Sequence, residues 1–115
     1  MTQATIDQTT FNELKATAGA DFVSELVGTF LAEAPAMLAD LRSALAAGDA
    51  DRFRRAAHSL KSNSNTFGAL TLGALAKNLE LTGIAPAAAA KGATLDSLDA
   101  EYARVATALK ELARG

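Results

Sequence analysis

The chain holds one histidine, His58, inside the run "RRAAHSLKSNSNTFGAL" at residues 54–70. On a helix, Arg54 and Arg55 would precede the imidazole by four and three residues, Lys61 and Ser62 would follow by three and four, and Asn65 by seven. These are the spacings at which helix side chains become neighbours. Cations placed there disfavour a protonated imidazole, leaving it neutral and nucleophilic. The same charges attract and hold a phosphoryl group. A neutral imidazole attacks phosphorus and forms a labile phosphorus–nitrogen bond, a product suited to passing the group onward. Ser62, Ser64 and Asn65 are small enough to leave room for an approaching protein surface. The competing reading is a surface histidine without a task, on a face that the basic residues merely solvate.

Composition narrows the choice. At 115 residues the chain is expected to form one domain over 1–115, with a core at about 7–112 and a frayed lead at 1–6. It has no room for an ATP-binding domain and no glycine-rich nucleotide loop, so nothing supports a kinase with its own catalysis. Without cysteine there is no thiol nucleophile or cysteine zinc site, and one histidine builds no multi-histidine site, so neither metal nor cofactor is expected. A net charge of −2 gives no whole-chain attraction to nucleic acid or to an anionic membrane. No stretch reads as a signal peptide or reaches about 18 consecutive apolar residues. The expectation is a soluble, cytoplasmic monomer.

The elements that must position His58 read as helices. Half of the residues are apolar, dominated by alanine and leucine, with only two prolines. After a polar start, "TFNELKATAG" predicts a short helix capped by Thr9 or Thr10 and stopped by Gly19. Residues 20–47 place Val23, Leu26, Val27, Phe30, Ala34, Met37, Leu38, Leu41 and Leu45 on one broad face. Pro35 either kinks this helix or starts a new one, and the unbroken apolar phase favours a kink. "GDAD" makes the next turn, with Asp49 or Asp51 as cap. The helix carrying His58 then runs from about Ala50 to Thr66 or Phe67, closed by Gly68. "ALTLGALAKNLELTG" predicts another helix ending near Gly83, and 94–114 a last one with Leu95, Leu98, Tyr102, Val105, Leu109 and Leu112 in phase. Between them, "IAPAAAAKG" either extends a helix begun at Pro86 or forms a helical turn inside a linker. The expected fold is all-α, an antiparallel up-and-down four-helix bundle with the short N-terminal helix across one end.

At about 100° per residue, Phe53, Ala57, Leu60, Ser64 and Phe67 cluster in a stripe roughly 80° wide, the predicted core face. His58 falls about 140° from its middle and is expected in solvent.

With these residues in place, "AAHSLKSNSNTFGAL" resembles the signature of the histidine phosphotransfer (HPt) domain: His, any residue, Leu, Lys, Gly, then small residues and a Gly-Ala pair. The segment from Phe22 to Lys61 is similar to that family's second helix, turn and active helix, and "LGALAKNLE" to its next helix. The resemblance implies a four-helix bundle whose histidine takes phosphate from a response-regulator receiver aspartate and gives it to another receiver. His58 would be the phosphorylated residue. Lys61 matches the motif lysine that holds the phosphoryl group or complements the acidic receiver pocket, and Leu60 matches the core leucine. The motif glycine is replaced by Ser62, which keeps the site open but adds a hydroxyl within reach of ring or phosphate.

Glu80 stands where the related domain of chemotaxis kinases carries a glutamate bonded to the histidine ring. The resemblance thus implies that it accepts from Nδ1 and frees Nε2; the alternative is a surface glutamate paired with a lysine. Lys77, one turn earlier, is a further candidate. Phe22, roughly 100° off its helix's apolar centre, docks receivers as in similar domains, packs on Phe11 or Leu14, or does both in part. Arg54, Arg55 and Lys61 would meet acidic partner residues. The reading is a phosphoryl carrier without its own ATP site; the alternative is a phosphorylation-independent interaction module for response regulators. Met1 ahead of a short polar lead favours a free-standing protein over a piece of a hybrid kinase.

Overall fold

The computed structural model describes residues 5–84 and 88–114, with side chains described for 5–84 and 92–113. Five helices account for these residues, and no strand occurs among them. The first, α1 (Gln8–Ala18), is capped by Asp7 rather than by Thr9 or Thr10. Thr10 is the donor: its backbone N–H and hydroxyl both reach Asp7 Oδ2, at 3.0 and 2.6 Å. That contact satisfies the third of the amide groups a helix start leaves open. The lead is also shorter than expected, because Ile6 is buried and the Asp7 N–H donates to the Gly68 carbonyl at 2.8 Å. Residues 1–4 of the expected frayed segment lie outside the described residues.

Gly19 ends α1 at φ +93° and leads into α2 (Ala20–Ala47), which runs unbroken through Pro35. A proline has no N–H for the carbonyl four residues earlier, here that of Leu31. The Tyr102 hydroxyl donates to this carbonyl across the core, at a long 3.4 Å. By length and composition α2 would suffice to cross a membrane, but its apolar face, including Val23, Val27, Phe30, Ala34, Leu41 and Ala44, is buried within the fold.

Asp49, one of the two expected caps, accepts from the Arg52 N–H and starts α3 (Ala50–Thr66). Gly68 turns the chain at φ +84°, and a side chain there would lie 2.8 Å from the Asp7 carbonyl oxygen. Only glycine suits both conditions. The buried Ala69 then leads into α4 (Leu70–Thr82). The last helix, α5 (Ala88–Arg114), begins six residues before the expected Thr94 and passes through Gly92, so the helix extension is what the chain adopts. Pro86 itself lies outside the described residues.

Helix α2 packs on α3 and α5, α3 on α4, and α4 on α5, while α1 covers α2 and α3. The core between them includes Phe11, Phe53, Leu60, Leu72, Leu79, Leu98 and Leu109. Full burial of each such leucine or phenylalanine contributes roughly 1.5–3 kcal/mol before ordering costs. Phe30 sits between Phe67 and Tyr102, at ring distances of 5.4 and 6.1 Å. This packing holds α3 with one face in the core and the other in solvent.

Candidate functional site

Phe53, Ala57, Leu60, Ser64 and Phe67 are all buried, as the α3 periodicity predicts. The helix period then forces His58 outward, and 59% of its side chain is exposed. Its partner comes from α4. The ring Nδ1 lies 2.8 Å from Glu80 Oε2, and the Lys61 ammonium lies 2.7 Å from Glu80 Oε1. The two readings of Glu80 therefore coexist, one on each oxygen. The Lys61 ammonium, and after it the His58 ring, holds the Glu80 carboxyl below its ordinary value. An ionised carboxylate only accepts hydrogen bonds. Nδ1 therefore carries the proton in this contact, and a neutral ring keeps its lone pair at Nε2.

The charge nearest the imidazole is thus an anion, not the expected collar of cations. Arg54 turns to Asp51 at 2.7 Å, and Arg55 Nε reaches only the Asp51 backbone carbonyl, at 3.4 Å. Lys61 is engaged by Glu80. Ser62 is exposed, its carbonyl accepting from the Thr66 hydroxyl at 3.0 Å. The Asn65 amide lies over Gly73 of α4, where a methyl group would displace it. Lys77 is exposed on α4 with no ion pair among the described residues. These residues share the outward surface of α3 and α4.

Phe22 does not belong to that surface. It stands 51% exposed in the first turn of α2. The part of α2 beside the His58 turn is Met37 and Asp40, roughly 25 Å further along the helix at 1.5 Å per residue.

Two features escaped the sequence reading. Leu81 and Leu70 of α4 are 74% and 49% exposed; leucines on every side of α4 concealed which ones point out. A groove of about 400 Å³ lies between α2 and α3, lined by Met37, Asp40, Arg52, Arg55, Ala56 and Ser59. Its signal is spread over two helices. Among the described residues no cluster of three histidine or acidic side chains could hold a metal ion.

What the site offers is an exposed imidazole, oriented at one nitrogen and open at the other. No curated protein matches the chain. Over 98% of its length it superposes on 97% of the crystal structure of histidine-containing phosphotransfer protein B from Pseudomonas aeruginosa, with a TM-score of 0.82 and 27% sequence identity. The Hpt domain family model matches residues 25–114. The chain belongs to the Hpt domain family.

Proposed function

We propose that this protein is a phosphoryl carrier in a His–Asp relay and that His58 is the residue that carries the group. One observation supports this most directly: His58 is exposed, with Nδ1 engaged by Glu80 and Nε2 left to react. The Nε2 lone pair forms a bond to phosphorus as the bond from phosphorus to a receiver aspartate oxygen breaks, returning that carboxylate. The ring gains positive charge, which the Glu80 carboxylate stabilises through the Nδ1 proton. Transfer to a second receiver aspartate reverses these steps. Lys61 fixes the Glu80 carboxylate and adds positive charge near the phosphoryl group. Arg54, Arg55, Lys77, Ser62 and Asn65 form the surface presented to acidic receivers, giving fast, salt-sensitive contact. Phe22 stays a candidate for a separate, distant contact.

In this reading residues 1–115 are one domain, its four long helices an antiparallel up-and-down bundle with α1 as an addition. It acts as a cytoplasmic monomer and borrows its phosphate from a kinase elsewhere. The experiment is incubation of the protein, and of His58→Gln, with phosphorylated receiver domains. Acid-labile, base-stable label on the wild type alone is the expected result. A folded protein that binds receivers but takes no label would replace this reading with the interaction module.

A further inference from the structure

Arg55 and Lys61 stand one turn before and one turn after His58, and the helix period puts them about 60° away on opposite flanks. Lys61 is on the α4 flank, where Glu80 binds both it and Nδ1. Arg55 is on the α2 flank, lining the groove with Met37 and Asp40. The two ring nitrogens flank the same carbon, Cε1, and point in divergent directions. With Nδ1 turned to Glu80 on the α4 side, Nε2 is the nitrogen left open, and Arg55 is the cation on the other flank.

The pattern of ion pairs points the same way. Among the described arginines, Arg42 pairs with Asp96 and Asp99, Arg52 with Asp40, Arg54 with Asp51 and Arg104 with Glu101. Arg55 has no carboxylate, only a backbone carbonyl at 3.4 Å, a contact at the edge of hydrogen-bond range. Asp40 in the same groove is already held by Arg52. The groove therefore keeps one uncommitted guanidinium, a fork of donors matched to a phosphoryl group.

We infer that Arg55, rather than Lys61, binds the phosphoryl group carried on His58 Nε2. This rests on the carrier reading and names the group that holds its cargo. Lys61 is then a positioning residue that acts through Glu80.

The test uses phosphoramidate, a small donor without a receiver surface, so docking does not enter. Nε2 attacks phosphorus, the phosphorus–nitrogen bond of the donor breaks, and ammonia leaves. The rate of labelling and the half-life of the phosphohistidine are measured for wild type, Arg55→Gln, Arg55→Lys, Lys61→Gln and His58→Gln, with imidazole 15N spectra of the unlabelled proteins. Arg55→Gln should label roughly tenfold more slowly, the weight of one charge-assisted hydrogen bond, with unchanged imidazole spectra and partial rescue by Arg55→Lys. Lys61→Gln should alter the imidazole spectrum and slow labelling less than Arg55→Gln does. A change under twofold for Arg55→Gln, or a larger loss for Lys61→Gln, overturns the assignment while leaving the carrier reading intact. A folded wild type that takes no label at all overturns both.

Discussion

His58 and Glu80, 22 residues apart in sequence, meet at 2.8 Å across the α3–α4 interface. The contact is set by the turn between the helices. Gly68 at positive φ, the fully buried Ala69, and the Asn65 amide resting on Gly73 bring the two helices into a register in which residue 80 faces residue 58. A carboxylate so placed can fix a ring tautomer and answer the charge that develops when the ring is phosphorylated.

Glu80→Gln should therefore leave the fold intact and damage the chemistry. A glutamine amide can either accept from Nδ1 or donate to it, so the ring loses its fixed tautomer and the counter-charge for the phosphorylated state. Transfer from a phosphorylated receiver is expected to slow on the order of tenfold, as for other partners that orient a reactive histidine. Imidazole 15N spectra should show mixed tautomers. Wild-type transfer with wild-type spectra would mean that Glu80 does not orient the ring.

The pH dependence follows from the sign of the Glu80 shift. Its pKa is lowered from 4.5 by Lys61 first and His58 second. The stabilisation from these contacts is present above the unfolded value, and it is lost as pH falls through the lower folded one. The network should hold through neutral pH and open only below about pH 4.5. Titration of the Glu80 side-chain carbon by NMR checks this, and a midpoint at or above 4.5 would show the contacts absent in solution.

The sequence made α3 legible because its pattern is local. A 3.6-residue period sorts Phe53, Ala57 and Leu60 from His58 without reference to any other helix, and the structure agrees. The Asp7 cap was harder, since aspartate and threonine are both good N-caps and sit within three residues of each other. Ala88 to Lys91 are good helix formers, but Gly92 reads as a stop; the helix runs through it, since a glycine inside a helix costs only about 1 kcal/mol. The ion pairs were the least legible part. Asp40–Arg52 and Lys61–Glu80 join residues on different helices, so no spacing along one helix exposes them. Arg54 and Arg55 are alike in type, but Arg54 pairs with Asp51 while Arg55 reaches only a backbone carbonyl.

Ser64 gives a test of the core. The period placed it among the apolar residues of α3, and its hydroxyl is fully buried with no hydrogen-bond partner among the described residues. A buried polar group without a partner costs about 1–3 kcal/mol, and alanine is the better helix former. Ser64→Ala should stabilise the protein by roughly 1 kcal/mol, measured by chemical denaturation, with labelling of His58 unchanged. A loss of stability would show that the hydroxyl does find a partner in solution.

Pro35 and Tyr102 give the last test, through the one carbonyl they share. Pro35 deprives Leu31 of its helical donor, and the Tyr102 hydroxyl takes that place at 3.4 Å. Burial pushes the Tyr102 phenol up from its ordinary value, so it stays protonated and able to donate. Tyr102→Phe keeps the edge contact with Phe30 and removes only the hydroxyl. Because the bond is long, the cost should be about 0.5 kcal/mol, the low end for a hydrogen bond. In a Pro35→Ala background an amide N–H can bond Leu31 directly, and the cost of Tyr102→Phe should fall toward zero. The double-mutant cycle thus isolates a coupling of about 0.5 kcal/mol between residues on two helices. Equal costs in both backgrounds would mean that the carbonyl is satisfied by solvent and that Tyr102 contributes through its ring alone.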